Sequence, residues 1–359
     1  MSEDITLRRS RKLDHIEYAL TLDDGPVDSR FADFQLLHNC LPELALNEVR
    51  LETSVAGIAL PHPLIINAIT GGTDDVADVN AKLAEVARLT GSAMAVGSQF
   101  AALRDPAAVA SYSIIRDVNP SGILFANLGA HASVEQAKAA VDMIDAAALQ
   151  VHLNPAQELM MPEGDRSFTG YLAKIQDIVH SLDVPVIAKE TGCGIAGEQA
   201  ASLVQSGARA IDVGGAGGTN FPAIEAARGR HEVSAEALSW GIPAAISAAE
   251  VAAVLPDGVD MIVSGGVRSP LDAVKAFALG GRAVAVAGPV LRLVQAGGVG
   301  AAVSWVESFL AELRRYLLLT GSSCPADLLA KPLVVSGFSR DWLNARGIDT
   351  DAFARRGRK

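Results

Sequence analysis

The sequence predicts an α/β fold, a TIM (β/α)8 barrel with an N-terminal extension and a C-terminal helical segment, on three observations. Eight short apolar runs of about strand length are spaced along the chain, helical-looking segments fill the gaps, and each run ends in a polar or glycine residue. Strands buried on both faces read as continuous apolar runs, and repeated strand–helix units with right-handed crossovers close most simply as an eight-stranded barrel. Ligand-facing groups in such barrels sit at the carboxyl ends of the strands.

The elements follow in order. Residues 1–60 do not share the barrel rhythm. A basic opening with Arg8, Arg9, Arg11 and Lys12 leads through the polar stretch TLDDGPVDSR to VRLETSVAGIAL, which alternates well enough for a hairpin closing the barrel bottom. The basic opening reads as a solvated tail or a flap. The apolar runs are LIINAIT (64–70), SAMAVGS (92–98), GILFANLG (122–129), AALQVHLN (147–154), PVIAKET (185–191), AIDVGG (210–215), MIVSGG (261–266) and AVAVAG (283–288). Their ends supply Thr70, Ser98, Asn127, His152, Asn154, Lys189 and two glycine pairs, Gly214–Gly215 and Gly265–Gly266. Insertions after the fourth and sixth runs, PAQELMMPEGDRSFTG and AGGTNFPAIEAARGRHEVSAEALSWGIP, fall where lids and substrate contacts are usually placed. The barrel is expected over 61–320 and a closing helical tail over 321–359, in one domain, because a minimal barrel takes about 250 residues and the remainder suffices only for extensions and loops.

Bulk properties narrow the function classes. The chain carries 41 acidic and 30 basic residues, a net charge of −11, which argues against sequence-independent nucleic-acid binding and leaves an anionic ligand to local cations. Three scattered cysteines, Cys40, Cys193 and Cys324, make neither a disulfide scaffold nor a zinc site, so a reduced, cytoplasmic setting is expected. No signal-peptide core and no spanning segment are expected, since polar residues interrupt each apolar stretch before about 18 residues.

The strongest local signal is MIVSGGVRSPLDAVKAFALGGRAVAVAGPVL. Glycines admit close backbone approach to a phosphate, a helix start near Pro270 offers N–H groups, and Arg268 adds a charge-assisted contact. DVGGAGGTNF brings Gly217, Gly218 and Thr219 to the same side of the mouth. Flavin mononucleotide, sugar-phosphate and inosine-monophosphate barrels share this device, so it specifies phosphate and only suggests flavin. Lys189 ends a buried strand; it could stabilise negative charge on a reduced flavin, form a Schiff base, or pair with Glu190 or another carboxylate. Ser98 and Asn127 suit either flavin edges or the capping of the next element. In QVHLNPAQELM, His152 and Asn154 alternate on one strand and so share a face, with Gln157 and Glu158 in the loop beyond. A carboxylate with an amide and an imidazole nearby can frame a magnesium–diphosphate group, with Glu158 on the hydrated metal and His152 donating to phosphate oxygens; such groups also occur simply as satisfied hydrogen bonds.

Together these segments resemble the type 2, FMN-dependent isopentenyl diphosphate isomerases. The resemblance runs in order through RKLDHI (11–16), NAITGGT (67–73), AVGSQ (95–99), ANLGA (126–130), HLNPAQE (152–158), AKETGCGI (188–195), DVGGAGGTNF (212–221), WGIPAAIS (240–247) and SGGVRSPLDAVKAFALGG (264–281). It implies interconversion of isopentenyl and dimethylallyl diphosphate, with FMN active in its reduced form, Mg2+, and NADPH as reductant. It further implies that Arg11, Lys12, His152, Asn154 and Gln157 bind substrate, that Gln157, Lys189 and His152 are catalytic, and that Glu158 ligates the metal. Ala68, Ile69 and Thr70 would run along the flavin, Ser98, Asn127 and Lys189 would meet its ring, and Thr219, Gly265, Gly266, Arg268, Ala287 and Gly288 its phosphate and ribityl chain. The same resemblance implies a homotetramer or homo-octamer. The chain departs from the pattern at Ile69, where methionine is common, at Asn220, where serine is frequent, and at Phe100, where some members carry an arginine that would face the diphosphate.

Moving a double bond requires a proton added at one alkene carbon and another removed from the position next to the other alkene carbon, which the resemblance implies is a cryptic acid–base role for a redox cofactor. No GxGxxG strand–turn–helix unit offers a permanent nicotinamide site. Rival readings are a 2-hydroxy-acid oxidase, which should carry a His-Gly-x-Arg-Gln type cluster absent here, and an inosine-monophosphate dehydrogenase, which needs a cysteine in the loop GGAGGTNFP. Cys193 reads as a packing residue. An isomerase homologue acting on another prenyl diphosphate stays as an alternative, because the hydrophobic pocket is not readable from motifs, whereas a barrel reused as a scaffold does not explain the retained charged set.

Overall fold

The computed structural model describes residues 17–69, 71–72, 74–229 and 232–357. Arg11, Lys12 and Thr70 lie outside the described residues. The extension contributes β1 (Phe34–Leu36) and the hairpin β2 (Thr53–Val55) and β3 (Ile58–Leu60), as the alternation in VRLETSVAGIAL predicts.

Barrel units follow: β4 (Leu64–Ile66), α1 (Asp74–Thr90), β5 (Ala93–Ala95), α2 (Phe100–Arg104), α3 (Ala110–Val118), β6 (Leu124–Gly129), α4 (Val134–Ile144) and β7 (Ala148–Leu153). Next come α5 (Pro155–Met160), α6 (Tyr171–Ser181), β8 (Val186–Glu190), α7 (Gly197–Gln205) and β9 (Ala210–Asp212). The circuit ends with α8 (Phe221–Gly229), α9 (Ala235–Leu238), α10 (Ala244–Ala252), β10 (Asp260–Ser264), α11 (Pro270–Ala278), β11 (Ala283–Val286) and α12 (Gly288–Leu319). The eight strands β4 to β11 pair in parallel in chain order, and β11 returns to β4 with Val284 opposite Leu64, so the sheet is a closed TIM barrel.

Local chemistry explains the units. Ser133 opens α4 with a capping box to Gln136, and its buried positions Ala137, Ala140 and Ile144 recur at three- and four-residue steps. Along the strands, Ile65, Phe125, Ala148, Ile187, Ala210 and Ile262 point inward as one apolar layer. Val55 and Leu60 of the hairpin cover that layer from below, and Asp260 Oδ2 accepts from the Ala56 N–H at 2.8 Å. The sequence-derived hairpin thus plugs the amino ends of the strands and leaves the carboxyl ends to ligands.

The tail is not purely helical, as 321–359 was expected to be. It contributes β12 (Leu333–Val335), antiparallel to β1 with Phe34 opposite Val335, before α13 (Gly337–Ala345) and α14 (Thr350–Arg355). Three alternating residues are too short a period to read locally; pairing with β1, with Gln35 opposite Val334, makes the strand. A spanning-length segment was not expected either, yet α12 is long and apolar enough by length and composition to cross a membrane. It carries Arg292, breaks at Gly298 (φ 70°, ψ −173°), and buries a stripe including Val294, Val306, Phe309 and Leu313 against α1 and α11.

Candidate active site

A cavity of about 320 Å³ opens at the carboxyl ends of the strands. Its wall includes Ala68, Ile69, Ser98, Asn127, His152 and Lys189 from the strand ends. Asn154, Gln157 and Glu158 line it from the insertion after β7, and Thr219, Gly265, Gly266, Arg268, Ala287 and Gly288 from the glycine loops. Every proposed site residue among the described ones therefore reaches a single space.

At the glycine end, two loops touch backbone to backbone. Gly265 (φ +96°) and Gly266 (φ +83°) adopt left-handed conformations, and a Cβ on Gly266 would lie 2.4 Å from the Gly217 carbonyl oxygen. The start of α11 is not the open N–H source that the sequence suggests. Ser269 and Asp272 form a capping box, and the Asp272 carboxylate accepts from the Arg268 N–H at 3.1 Å and the Ser269 N–H at 3.0 Å. The helix start suited to a phosphate is that of α12, where Ala287 provides no side-chain cap and Ala287, Gly288 and Pro289 line the cavity. Arg268 donates to the Gly217 carbonyl at 2.6 Å and pairs with Asp24 at 3.4 Å; Arg292 meets the same carboxylate at 3.3 Å. The polar stretch of the extension thus folds onto this end, where the Gly25 N–H donates to the Gly218 carbonyl at 3.1 Å.

At the opposite end, β7 stops at Leu153, so Asn154 begins the α5 turn rather than ending the strand, and Gln157 and Glu158 stand on α5, not in a loop. Pro155 sets φ at the first helical position and fixes where the turn begins. The Asn154 amide donates to Gln157 Oε1 at 3.2 Å and to Glu158 Oε1 at 2.9 Å, while Glu158 Oε2 accepts from the Asp165 N–H at 2.9 Å. Gln157 Nε2 donates to the fully buried Glu225 at 2.7 Å. Phe100 stacks on His131 with ring centroids 4.2 Å apart, and Arg104, one helical turn on, lies 5.8 Å over the Phe100 ring at the cavity wall. Burial, outweighing nearby Asp165 and Glu158, lowers the His131 pKa. Among the described residues no cluster of three or more His, Cys, Asp or Glu side chains makes a ready metal cage. Glu158 is a carboxylate at this end that could hold a hydrated divalent cation.

Between the two ends stands Lys189, nearly buried, its ammonium donating to the Glu190 carbonyl at 2.8 Å and 3.4 Å from Asp212 Oδ2. It lines the cavity and pairs with a carboxylate, the structural pairing among the alternatives read from sequence, with Asp212 rather than Glu190 as the partner. Glu190 instead turns into the following loop and accepts N–H bonds from Gly192 (2.7 Å) and Gly194 (3.1 Å); burial nevertheless pushes its carboxyl up to about 7. Cys193 is pushed up to about 12 by burial and then by Glu190, which fits the packing role expected of it. The sequence reading missed Asp212, Asn67 and Gln150, the polar residues at inward positions of apolar runs; that inward alternation was the available signal.

The family of FMN-dependent dehydrogenases matches residues 127–334. The chain is 48% identical over 359 residues to an isopentenyl-diphosphate delta-isomerase of Symbiobacterium thermophilum, covering 98% of this chain and 99% of that one. It is 46% identical over 349 residues to the isopentenyl-diphosphate delta-isomerase of Geobacillus sp. strain WCH70, covering 97% and 99%. Among solved structures it resembles a putative lactate oxidase of Pediococcus acidilactici (TM-score 0.66, 17% identity, 94% of each chain) and mandelate oxidase with (S)-2-phenylpropionate (TM-score 0.64, 18% identity, 92% and 98%), a likeness of fold alone. On 46–48% identity over nearly the whole of both chains and the match to the FMN-dependent dehydrogenase barrel, the chain belongs to the isopentenyl-diphosphate delta-isomerase family.

Proposed function

We propose that this chain interconverts isopentenyl diphosphate and dimethylallyl diphosphate, using FMN, with Mg2+ at the substrate diphosphate and NADPH as the reductant that activates the flavin. The observation that carries the reading is one cavity with two distinct ends: glycine loops and an uncapped helix start at one, and His152, Asn154, Gln157 and Glu158 at the other. Thr219, Gly265, Gly266, Arg268, Ala287 and Gly288 would hold the FMN phosphate and ribityl chain. Ala68, Ile69, Thr70, Ser98, Asn127 and Lys189 would hold its ring. Reduced FMN, when bound, would supply an acid–base group able to add a proton at the terminal alkene carbon and accept one from the allylic carbon on the far side of the double bond.

The chain's own residues do the rest. Lys189, braced between the Glu190 carbonyl and Asp212, keeps a positive charge beside the ring. Arg11, Lys12, His152 and Asn154 bind the diphosphate, and Glu158 holds the hydrated metal. Gln157, clamped by Glu225 and Asn154, meets the prenyl carbons, while the apolar walls of Ile69, Met161 and Phe221 exclude water from them. We further expect a cytoplasmic homotetramer or homo-octamer.

The test is anaerobic conversion of isopentenyl diphosphate by purified protein with FMN, Mg2+ and NADPH, each omitted in turn. Product requiring FMN, reductant and Mg2+ is the expected outcome. Flavin-loaded protein giving no product would move the search to other prenyl diphosphates or to hydroxy acids.

A further inference from the structure

Above the apolar layer of the barrel, the same inward alternation carries polar side chains: Asn67 just past β4, Asn127 on β6, Gln150 and His152 on β7, Asp212 on β9 and Ser264 on β10. They form one hydrogen-bonded chain. Asn67 Nδ2 donates to Asp212 Oδ2 at 2.9 Å, and Gln150 Nε2 donates to Asn67 Oδ1 at 3.1 Å. Asn127 Nδ2 donates to Gln150 Oε1 at 3.0 Å, and Asn127 Oδ1 lies 2.9 Å from His152 Nδ1. Gln150 and Asp212 are fully buried and do not line the cavity.

A carboxamide has a donor end and an acceptor end, so such a chain has a direction, and obligate partners set it. The Asp212 carboxylate takes the Lys189 ammonium on Oδ2, and the Ser264 hydroxyl and the Gly214 N–H on Oδ1, so it faces Asn67 as an acceptor. The Ala68 N–H, which can only donate, meets Asn67 Oδ1 at 2.9 Å. Both ends of Asn67 are therefore determined. Gln150 must then turn its NH2 to Asn67 and its carbonyl to Asn127, and Asn127 must turn its carbonyl to His152. A carbonyl oxygen only accepts, so the proton on this side of the ring is on Nδ1.

We propose that Asp212 is a positioning residue for His152: through Asn67, Gln150 and Asn127 it holds the imidazole in the Nδ1–H form. The Nε2 atom then carries the lone pair of the neutral ring and becomes a donor only when the ring takes a second proton. The aligned amides turn their carbonyl ends toward His152, which favours that second proton. A consequence, resting on the function proposed above, is that His152 meets a diphosphate oxygen through Nε2 as a cation.

Neutron diffraction from deuterium-exchanged crystals of the FMN-bound protein reads this directly and needs no activity. The expected map has deuterium on His152 Nδ1 and the amide deuteriums of Asn127, Gln150 and Asn67 pointing toward Asp212. Deuterium on Nε2 with Nδ1 bare, or a reversed amide, overturns the proposal. Gln150→Met keeps the volume and removes both links through residue 150; His152 is expected to lose its single tautomer there. An unchanged Nδ1-only ring in a folded, flavin-bound Gln150→Met protein overturns the control by Asp212. Crystals soaked with isopentenyl diphosphate should show deuterium on both nitrogens. A neutral ring against bound diphosphate removes the consequence while leaving the tautomer standing, and failure of the isomerase assay leaves the free-protein result intact.

Discussion

Gln157 Nε2 and Glu225 Oε1 lie 2.7 Å apart and join two segments separated by 68 positions in the chain. The carboxylate is fully buried and also pairs with Arg228 at 2.8 Å, while Gln157 Oε1 accepts from Asn154. Both ends of the Gln157 amide are thereby spoken for, and its orientation at the cavity wall is dictated from the α8 side. Glu225→Ala should free that amide and lower kcat/KM for isopentenyl diphosphate by about ten- to a hundredfold, the equivalent of a lost hydrogen bond to a charged group at roughly 1.5–3 kcal/mol. Flavin absorbance should be retained; steady-state isomerisation with flavin quantitation on the same sample checks both.

Glu158→Gln keeps the α5 geometry and removes the charge that would hold a metal. Turnover at fixed Mg2+ should fall by about a hundredfold, roughly 3 kcal/mol, with FMN content unchanged. A magnesium titration of the variant decides it: full rate with the parent's magnesium dependence would sink the metal assignment.

Gly266→Ala places a Cβ 2.4 Å from the Gly217 carbonyl in a left-handed backbone, where an L side chain alone costs about 1–2 kcal/mol. The two glycine loops must separate, so FMN occupancy of the purified variant should drop sharply and its melting temperature should fall by several degrees. Absorbance and thermal denaturation report the two effects separately.

The pH dependence of stability carries the signature of Glu190. Its carboxyl rises from 4.5 to about 7 because burial disfavours the charged form more than its backbone N–H donors and Lys189 favour it. The folded protein therefore binds a proton more tightly than the unfolded chain. The stabilisation from this site is complete below pH 4.5 and is lost as pH rises through about 7, by at most about 3 kcal/mol on linkage. Glu190→Gln removes that loss, so its melting temperature relative to the parent should improve between pH 5 and pH 8; a constant difference over that range counts against the shift.

The barrel was legible because its signals are local and repeated. Apolar runs of strand length, Ser133 and Ser269 at helix starts and Gly265–Gly266 after a strand each state their conformation within a few residues. Gln157 and Glu158 were legible as a motif but not as a helix, since Pro155–Met160 is shorter than two turns, too short for periodicity to reveal. The strand at Leu333–Val335 escaped for the same reason. Arg268 was read by its type, a cation beside glycines, and its present partners, Asp24 and the Gly217 carbonyl, follow from the extension folding back over the mouth.

By itself the sequence determined which side chains point inward, because alternation along a strand is a property of the backbone: Ile65 and Asn67, Phe125 and Asn127, Ile187 and Lys189, Ala210 and Asp212 share a parity readable from the runs. Only the tertiary structure decided which of them meet. Closure of eight strands in one register brings Asn67 against Asp212, 145 positions away, and Gln157 against Glu225, and hydrogen bonds depend on distances of a few tenths of an ångström that no local pattern carries.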